Sequence, residues 1–476
     1  MSSVPSKPLK QMITFDVWDI IVLVFFFAAV LLTGFLAKGE DKESAADYLL
    51  SGRKVGLLLF VLTNVSTWYG GILGVGEFTY RYGIVSWFTQ GFPYYVFAIL
   101  FAIFFAKKIR ESELYTIPDK LEKVYGRKTG LISAVIIFLL VTPAPYVLMI
   151  ANLFVLIFDI PLLHAIVIGV LLSSVYLFKG GYKSDIYTDA LEFFVMFAGF
   201  IIIFIVAQND LGSWEFIKRN VPPAHLTLTG NTSITFVIVW FLIALWTFTD
   251  PGFHQRCYAA KNGKVAMYGL IISVFFWAAF DFLTTATGLY SRAALPDLEN
   301  PIYAFPLLAE KLLSPGIKGI FYAALFATIL STLNSFLFLS ATTFGRDFVF
   351  KLKRNSGEAA LVKYTKYGLI LTVLISIPLA YYVQSIIQLW YIIGSILIPG
   401  IILLILGAYY PEFKISEKYA VLELISGVFI SFAWFFIREQ IPEESGLKFI
   451  EPMIAGLAGA LIIHLAGLRN KIKKRI

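Results

Sequence analysis

The sequence predicts an all-α protein that crosses a membrane about thirteen times, each crossing needing about 20 apolar residues. Three observations carry that expectation. The 476-residue chain is 58% hydrophobic and only 15% charged, whereas a soluble domain is about a quarter charged. Its apolar residues come in runs long enough for helices to span the hydrocarbon core. They do not alternate over segments of about ten residues, as the strands of a membrane barrel do.

In chain order the runs fall near 15–37, 55–80, 84–106, 129–158, 161–178, 184–207, 233–254, 265–290, 317–345, 365–383, 385–409, 419–437 and 449–468. No small-residue cleavage site follows the first run, so 15–37 reads as a retained span rather than a signal peptide. The whole chain, 1–476, reads as a single transmembrane domain. The longest loops, 208–232 and 291–316, are too short for a catalytic domain and at most cap a vestibule. The chain stops soon after its last span, which leaves nothing there to signal with.

The net charge of +8 looks like a nucleic-acid signal until the charges are placed. Alternating the loops across the spans gathers most Lys and Arg on one side, in "AKKIR", "KVYGRK", "RDFVFKLKR" and "RNKIKKRI". Positive residues favour cytoplasmic loops. The N-terminus is therefore expected outside and the C-terminus in the cytoplasm, in a plasma or inner membrane. The expected partners are the lipid bilayer and a small-molecule solute, with no nucleic acid and no obligatory protein partner. Cys257 is the only cysteine, which excludes an intrachain disulfide.

Polar groups inside spans are costly and mark function. They cluster in three places. "TNVSTWYGGILGVGE", 63–77, sets Asn, Ser and Thr before four glycines. "WTFTDPGFHQR", 246–256, interrupts an apolar helix at Asp250-Pro251-Gly252. "FATILSTLNSFLFLSATT", 326–343, is dense in hydroxyls. Asp189 stands apart, near the start of its own span. Pro251 removes a backbone donor and clashes with the preceding turn, and glycines lower helix propensity and admit close packing. Carbonyls freed at such breaks must line protein or water, not lipid. Two broken helices in corresponding positions of two halves are the mark of an inverted-repeat secondary transporter. On that reading 15–37 is a peripheral first helix, 55–207 and 233–409 are the repeats, and 419–468 adds two peripheral helices. The competing reading of Gly70-x-x-x-Gly74 is tight helix packing alone.

These motifs resemble those of the sodium/solute symporters, the group of sodium–glucose, sodium–proline, sodium–sialate and choline transporters. "DYLLSGRKVG", "LYTIPDKLEKVYGRKTG", "GGYKSDIYTDALEFF", "TDPGFHQRCYAAKN" and "ALFATILSTLNSFLFLSATTFGRDF" are similar to that family's segments, in its order. The resemblance covers roughly 45–350. It implies a five-plus-five, leucine-transporter-like core with alternating access, and sodium as the coupling ion. It also implies a main sodium site from the carbonyls of Leu62, Val65 and Thr328 and the hydroxyls of Ser331 and Thr332. Hard cations take oxygen ligands, so freed carbonyls and hydroxyls suit sodium. The competing reading of the hydroxyls is back-bonding within their own helix. In some members an aspartate holds a second sodium, which here would use Asp189 with Asn334 and Ser335. Asp189 as a helix cap is the alternative.

By the same resemblance, solute would lie near the midplane. Asn64, Thr67, Trp68 and Tyr69 come from the first break, Gln90 and Tyr94 from the next span. Trp246, Thr249 and Asp250 come from the second break, and Trp277 from the span after it. Packing is the competing reading for each aromatic. The glucose-type lysine and glutamate are replaced by Trp277 and by Gln90 or Gly91, which disfavours sugar. "TWYGG" is close to the choline-type pattern, yet Asp250 stands where those members have tryptophan. The expectation is a sodium-coupled symporter importing a small polar solute, leaning to an amine or zwitterion. Organic anions and sugars are the alternatives, and an uncoupled channel is the alternative of another class. His164, His225, His254 and His464 lack metal-ligand spacing and have no nucleophile beside them, so no enzyme is expected.

Overall fold

The computed structural model describes residues 13–37, 44–353, 357–383, 386–442 and 445–473. Every expected run coincides with a helix. Eleven helices among the described residues are long and apolar enough to span a membrane, and the bent pair Leu57–Tyr69 and Ile72–Tyr82 makes twelve. The fifth run, 161–178, holds only the 13-residue helix Leu162–Ser174. By length and apolarity the number is therefore eleven to twelve. A single bridge between Val55 and Ala260 is the only β-pairing among the described residues.

Burial sorts the helices. Ile317–Thr342 is buried along almost its whole length and packs along Leu177–Leu211. Peripheral helices present Phe25, Phe429 and Ile462 outward, each more than 60% exposed. An apolar face of that kind suits lipid and would be costly in water.

The first break forms between two half-helices. Leu57–Ser66 tightens into a single 3₁₀ turn over Thr67–Tyr69, and Ile72–Tyr82 leaves at 56° to it. Gly70 and Gly71 have negative φ, −54° and −80°, so conformation does not demand glycine there. Space does. A Cβ on Gly70 would strike the side chain of Thr332, and one on Gly71 would strike the ring of Trp390.

The second break is smaller. Asp250 is extended, at φ −68° and ψ 114°, and its Oδ1 caps the next helix by accepting from the Phe253 backbone N–H at 2.9 Å. Pro251 is that helix's first residue, where a missing N–H costs nothing. Asp250-Pro251 thus starts a helix rather than bending one. The two broken helices are tied at one end, where Val55 donates to the Ala259 carbonyl at 3.2 Å and Lys261 donates to that of Val55 at 2.8 Å.

On that same side the bundle is closed by ion pairs. Asp119, from helix Ile117–Tyr125, meets Arg346 and also Lys351 at 2.9 Å. Burial alone would raise the carboxyl of Asp119, but these two cations outweigh it and hold it at about 2. Arg53 and Arg110 clamp backbone carbonyls of Glu113, Leu114 and Ala260 beside them.

Candidate ion and solute sites

Ser331 and Thr332 lie in the middle of the buried helix Ile317–Thr342, where it faces the first break. Thr332 Oγ1 donates to the Thr67 carbonyl at 2.6 Å. This hydroxyl therefore bonds across to the break and not back along its own helix. Ser331 Oγ is buried without a hydrogen-bond partner among the described residues. A buried hydroxyl left so is costly unless something polar meets it. Thr328 does bond back, to the Ala324 carbonyl at 2.6 Å, so only its carbonyl is left to serve as an ion ligand. Leu62 and Val65 are buried at the end of the first half-helix, and Val65's carbonyl accepts from the Thr67 N–H. The five residues named from the sequence thus gather at the first break and the helix facing it. Their oxygens are the hard donors that sodium takes.

Asp189 is fully buried in Leu177–Leu211, eight residues past the kink at Gly181, too far into the helix to cap it. It accepts from Thr63 Oγ1, and from Thr67 Oγ1 at 3.1 Å. Asp185 and Glu192, four residues before it and three after, share its helix face and interact with it electrostatically. Ser335 Oγ donates to Asp185 Oδ2 at 2.7 Å. Asn334 donates its amide to the Tyr176 hydroxyl, and its Oδ1 is buried without a partner among the described residues. Into this cluster comes Arg256 of the second broken helix. Its Nη2 lies 3.6 Å from Asp189 Oδ2 and donates to Thr67 Oγ1 at 2.5 Å.

A cavity of about 160 Å³ opens between the two breaks. Asn64, Thr67, Trp68, Tyr69, Gln90, Tyr94, Trp246 and Asp250 all line it. Thr249 and Trp277 do not. Thr249 is buried and donates to the Trp246 carbonyl at 3.0 Å. Trp277 lies fully buried behind the wall, 5.1 Å from Trp68 and 5.8 Å from Phe253 between ring centroids. Trp68 meets Tyr94 edge-on at 4.8 Å and stacks on Phe253 at 5.5 Å. Asn64 is 1% exposed, with neither side-chain atom partnered among the described residues.

Several lining groups escaped the sequence reading, Asp281, Trp390 and Arg256 among them. Asp281 opens onto the cavity beside Gly91, where a Cβ would collide with its Oδ2, and Tyr95 donates to that oxygen. The signal was present, since an acid alone in "AAFDFLTT" is an intramembrane charge of the kind that marks function. Trp390 closes the cavity over Gly71, and nothing in its sequence neighbourhood places it there. Among the described residues Arg256 is the cavity's only basic lining residue. His254 is packed inside against Phe101, with Nε2 3.1 Å from the Phe248 carbonyl.

The model of the sodium:solute symporter family matches residues 48–427. The high-affinity choline transporter 1 of Caenorhabditis elegans is 24% identical over 417 residues, covering 80% of this chain and 72% of its own. The sodium/glucose cotransporter of Vibrio parahaemolyticus is 24% identical over 468 residues, covering 86% and 83%. The solved structure of a Na⁺-coupled sialic acid symporter in a substrate-bound outward-open state superposes with a TM-score of 0.81 at 19% identity. That match covers 96% of this chain and 98% of the other.

Proposed function

The chain belongs to the sodium:solute symporter family, a transporter rather than an enzyme with sodium as its coupling ion, and we propose that it imports a small amine-bearing or zwitterionic solute. One observation carries the solute class. The cavity presents an acid, Asp281, whose partners are the neutral tyrosines Tyr95 and Tyr69 and, among the described residues, no basic group. The cavity's one base, Arg256, is turned toward Asp189. Asp250, the other acid, is engaged as a helix cap. An ammonium is complementary to that balance, and a carboxylate alone is not.

The walls agree with this. Aromatic faces attract ammonium groups by about 0.5–2 kcal/mol each, and Trp68, Tyr94 and Trp246 supply three. The size agrees too, because an engineered cavity of about 150 Å³ accepts a benzene-sized guest. Relatives named for choline and for glucose leave the class to be argued from the cavity itself.

Sodium, in this reading, binds to the carbonyls of Leu62, Val65 and Thr328 and the hydroxyls of Ser331 and Thr332, joining the first break to the buried helix. Residues 55–207 and 233–409 act as the two repeats. The side closed by Asp119 and Arg346 is cytoplasmic, with the N-terminus outside and the C-terminus in the cytoplasm of a plasma or inner membrane. Sodium and solute raise each other's affinity, as linkage requires.

The test is thermal stability of purified protein in sodium against potassium, across amines, amino acids, sugars and organic acids. A shift that needs both sodium and an amine-bearing solute is expected. A shift with sodium and a sugar or simple carboxylate would overturn the solute class. Solute flux with no dependence on sodium would replace the symporter with a channel.

A further inference from the structure

We propose that Lys108, Lys120 and Lys123 form a site for the phosphate of an anionic membrane lipid, on the side closed by Asp119 and Arg346. Lys108 lies in the last turn of the span Val85–Glu111, and Lys120 and Lys123 lie on the short helix Ile117–Tyr125. Two of them meet where the span Leu389–Tyr409 stops. Lys108 Nζ stands 3.4 Å from the centroid of the Tyr410 ring, and Lys120 Nζ 4.4 Å from that of Tyr409. Lys123 follows Lys120 by three residues, on the same helix face.

Gathered like charges repel, and the acids close in sequence are engaged elsewhere. Glu111 pairs with Lys107 at 3.7 Å, and Asp119 and Glu122 pair with Lys351 at 2.9 and 2.6 Å. No ion pair among the described residues reaches Lys108, Lys120 or Lys123. Burial, and then the charges of Lys123 and Lys108, lower the Lys120 ammonium from its ordinary value, an effect that a bound anion would reverse. Lys108 Nζ also donates to the Tyr409 carbonyl at 3.4 Å, the favourable contact of a lysine with a helix C-terminus. That contact explains Lys108 and leaves Lys120 and Lys123 without a counter-charge.

The surroundings select a lipid over a soluble anion. Tyr410 donates its hydroxyl to the Phe104 carbonyl at 2.9 Å, so the lysines sit at the level where the apolar face of Val85–Glu111 ends. Ile103 and Phe104 point outward there, each more than half exposed. They supply a lane for an acyl chain whose phosphate rests on the lysines. Tyrosine is enriched at the membrane surface, and basic pockets between helix ends take anionic headgroups. A bound headgroup would bridge the two spans and the helix that carries Asp119, one residue before Lys120. This site depends on neither the solute class nor the sodium ligands.

The experiment is thermal stability of the purified full-length protein in detergent, titrated with dioctanoyl phosphatidylglycerol. Dioctanoyl phosphatidylcholine, glycerol 3-phosphate and inorganic phosphate are titrated beside it. A saturable stabilisation with phosphatidylglycerol alone is expected. Each lysine near an anionic lipid surface contributes roughly fivefold in affinity. Lys120→Gln combined with Lys123→Gln should therefore raise the midpoint concentration about tenfold or more. Lys363→Gln, on the separate helix Glu358–Tyr382, should leave it unchanged. Equal stabilisation by phosphatidylcholine, or an unmoved midpoint in the double variant, would overturn the proposal. Equal stabilisation by either soluble phosphate would overturn the lipid as occupant. Should the double variant not fold, Lys123→Glu, at an exposed position, reads the same midpoint.

Discussion

Thr332 donates a 2.6 Å hydrogen bond from Oγ1 to the backbone carbonyl of Thr67, a residue 265 positions earlier in the chain. The bond joins the most buried helix to the first broken one at the point where a sodium ion would draw them together. Ser331, one residue before, is buried and unpartnered among the described residues.

Removing either hydroxyl should therefore weaken sodium binding. Hydrogen bonds to charged groups contribute about 1.5–3 kcal/mol, and 1.4 kcal/mol is about tenfold in affinity. Ser331→Ala and Thr332→Ala are each expected to raise the sodium concentration for half-maximal thermal stabilisation about tenfold or more. Unchanged sodium curves in both variants would remove these residues from the site.

Asp281→Asn keeps the shape of the side chain and removes its charge. An amine-bearing solute should then bind about tenfold or more weaker, the scale of one charge-assisted hydrogen bond. Sodium alone should still stabilise the variant as it does the wild type. Choline carries a fixed positive charge and 3,3-dimethylbutanol, its neutral isostere, carries none, so the wild type is expected to prefer choline and Asp281→Asn to lose that preference. A wild-type protein indifferent between the two would count against an acid–ammonium contact.

Gly70→Ala tests whether the break is kept by space. The added Cβ would run into Thr332, and overpacking of this kind costs about 1–3 kcal/mol. Lower melting temperature with a loss of sodium-dependent stabilisation is expected, because the strain falls on a proposed sodium ligand. Gly70→Ala in a Thr332→Ala background should recover part of the lost stability.

The closing ion pairs make a pH prediction of definite sign. Asp119 is held at about 2, below the ordinary aspartate value of about 3.9. Its contribution to the closed state is present in full above that ordinary value and is lost as pH falls through about 2. Between pH 5 and 8 this carboxylate therefore contributes no pH dependence. Asp119→Asn leaves Arg346 with Asp347 at 3.1 Å and Lys351 with Glu122 at 2.6 Å, so the cluster is weakened by less than the roughly 3–5 kcal/mol of a buried pair broken outright. The closed side should open more often, seen as faster labelling of a cysteine introduced at Thr116. Labelling no faster than in the wild-type background would show that Asp119 does not hold the closure.

Much of this protein was legible in its sequence because membranes impose one-dimensional rules. A span must be long and apolar, so Val17–Leu36 and Ile317–Thr342 could be read from composition alone. A polar residue inside a span must have a reason, so the two breaks and the hydroxyl-rich helix stood out. The resemblance around Ser331 and Thr332 set both against the first break, where Thr332 bonds to Thr67.

What the sequence left open depended on which side chains meet across hundreds of residues. Trp277 and Trp68 look alike in the chain, yet one lines the cavity and the other backs its wall. Gly70 and Gly71 read as helix breakers, and only the packing of Thr332 and Trp390 against them shows that their role is space. Asp189 read as a cap or an ion ligand, while the folded chain sets Arg256 beside it. Charge and helix length are local properties written residue by residue. Which charge neutralises which is a matter of distance, and distance between Thr67 and Thr332 or Arg256 and Asp189 exists only once the helices have packed.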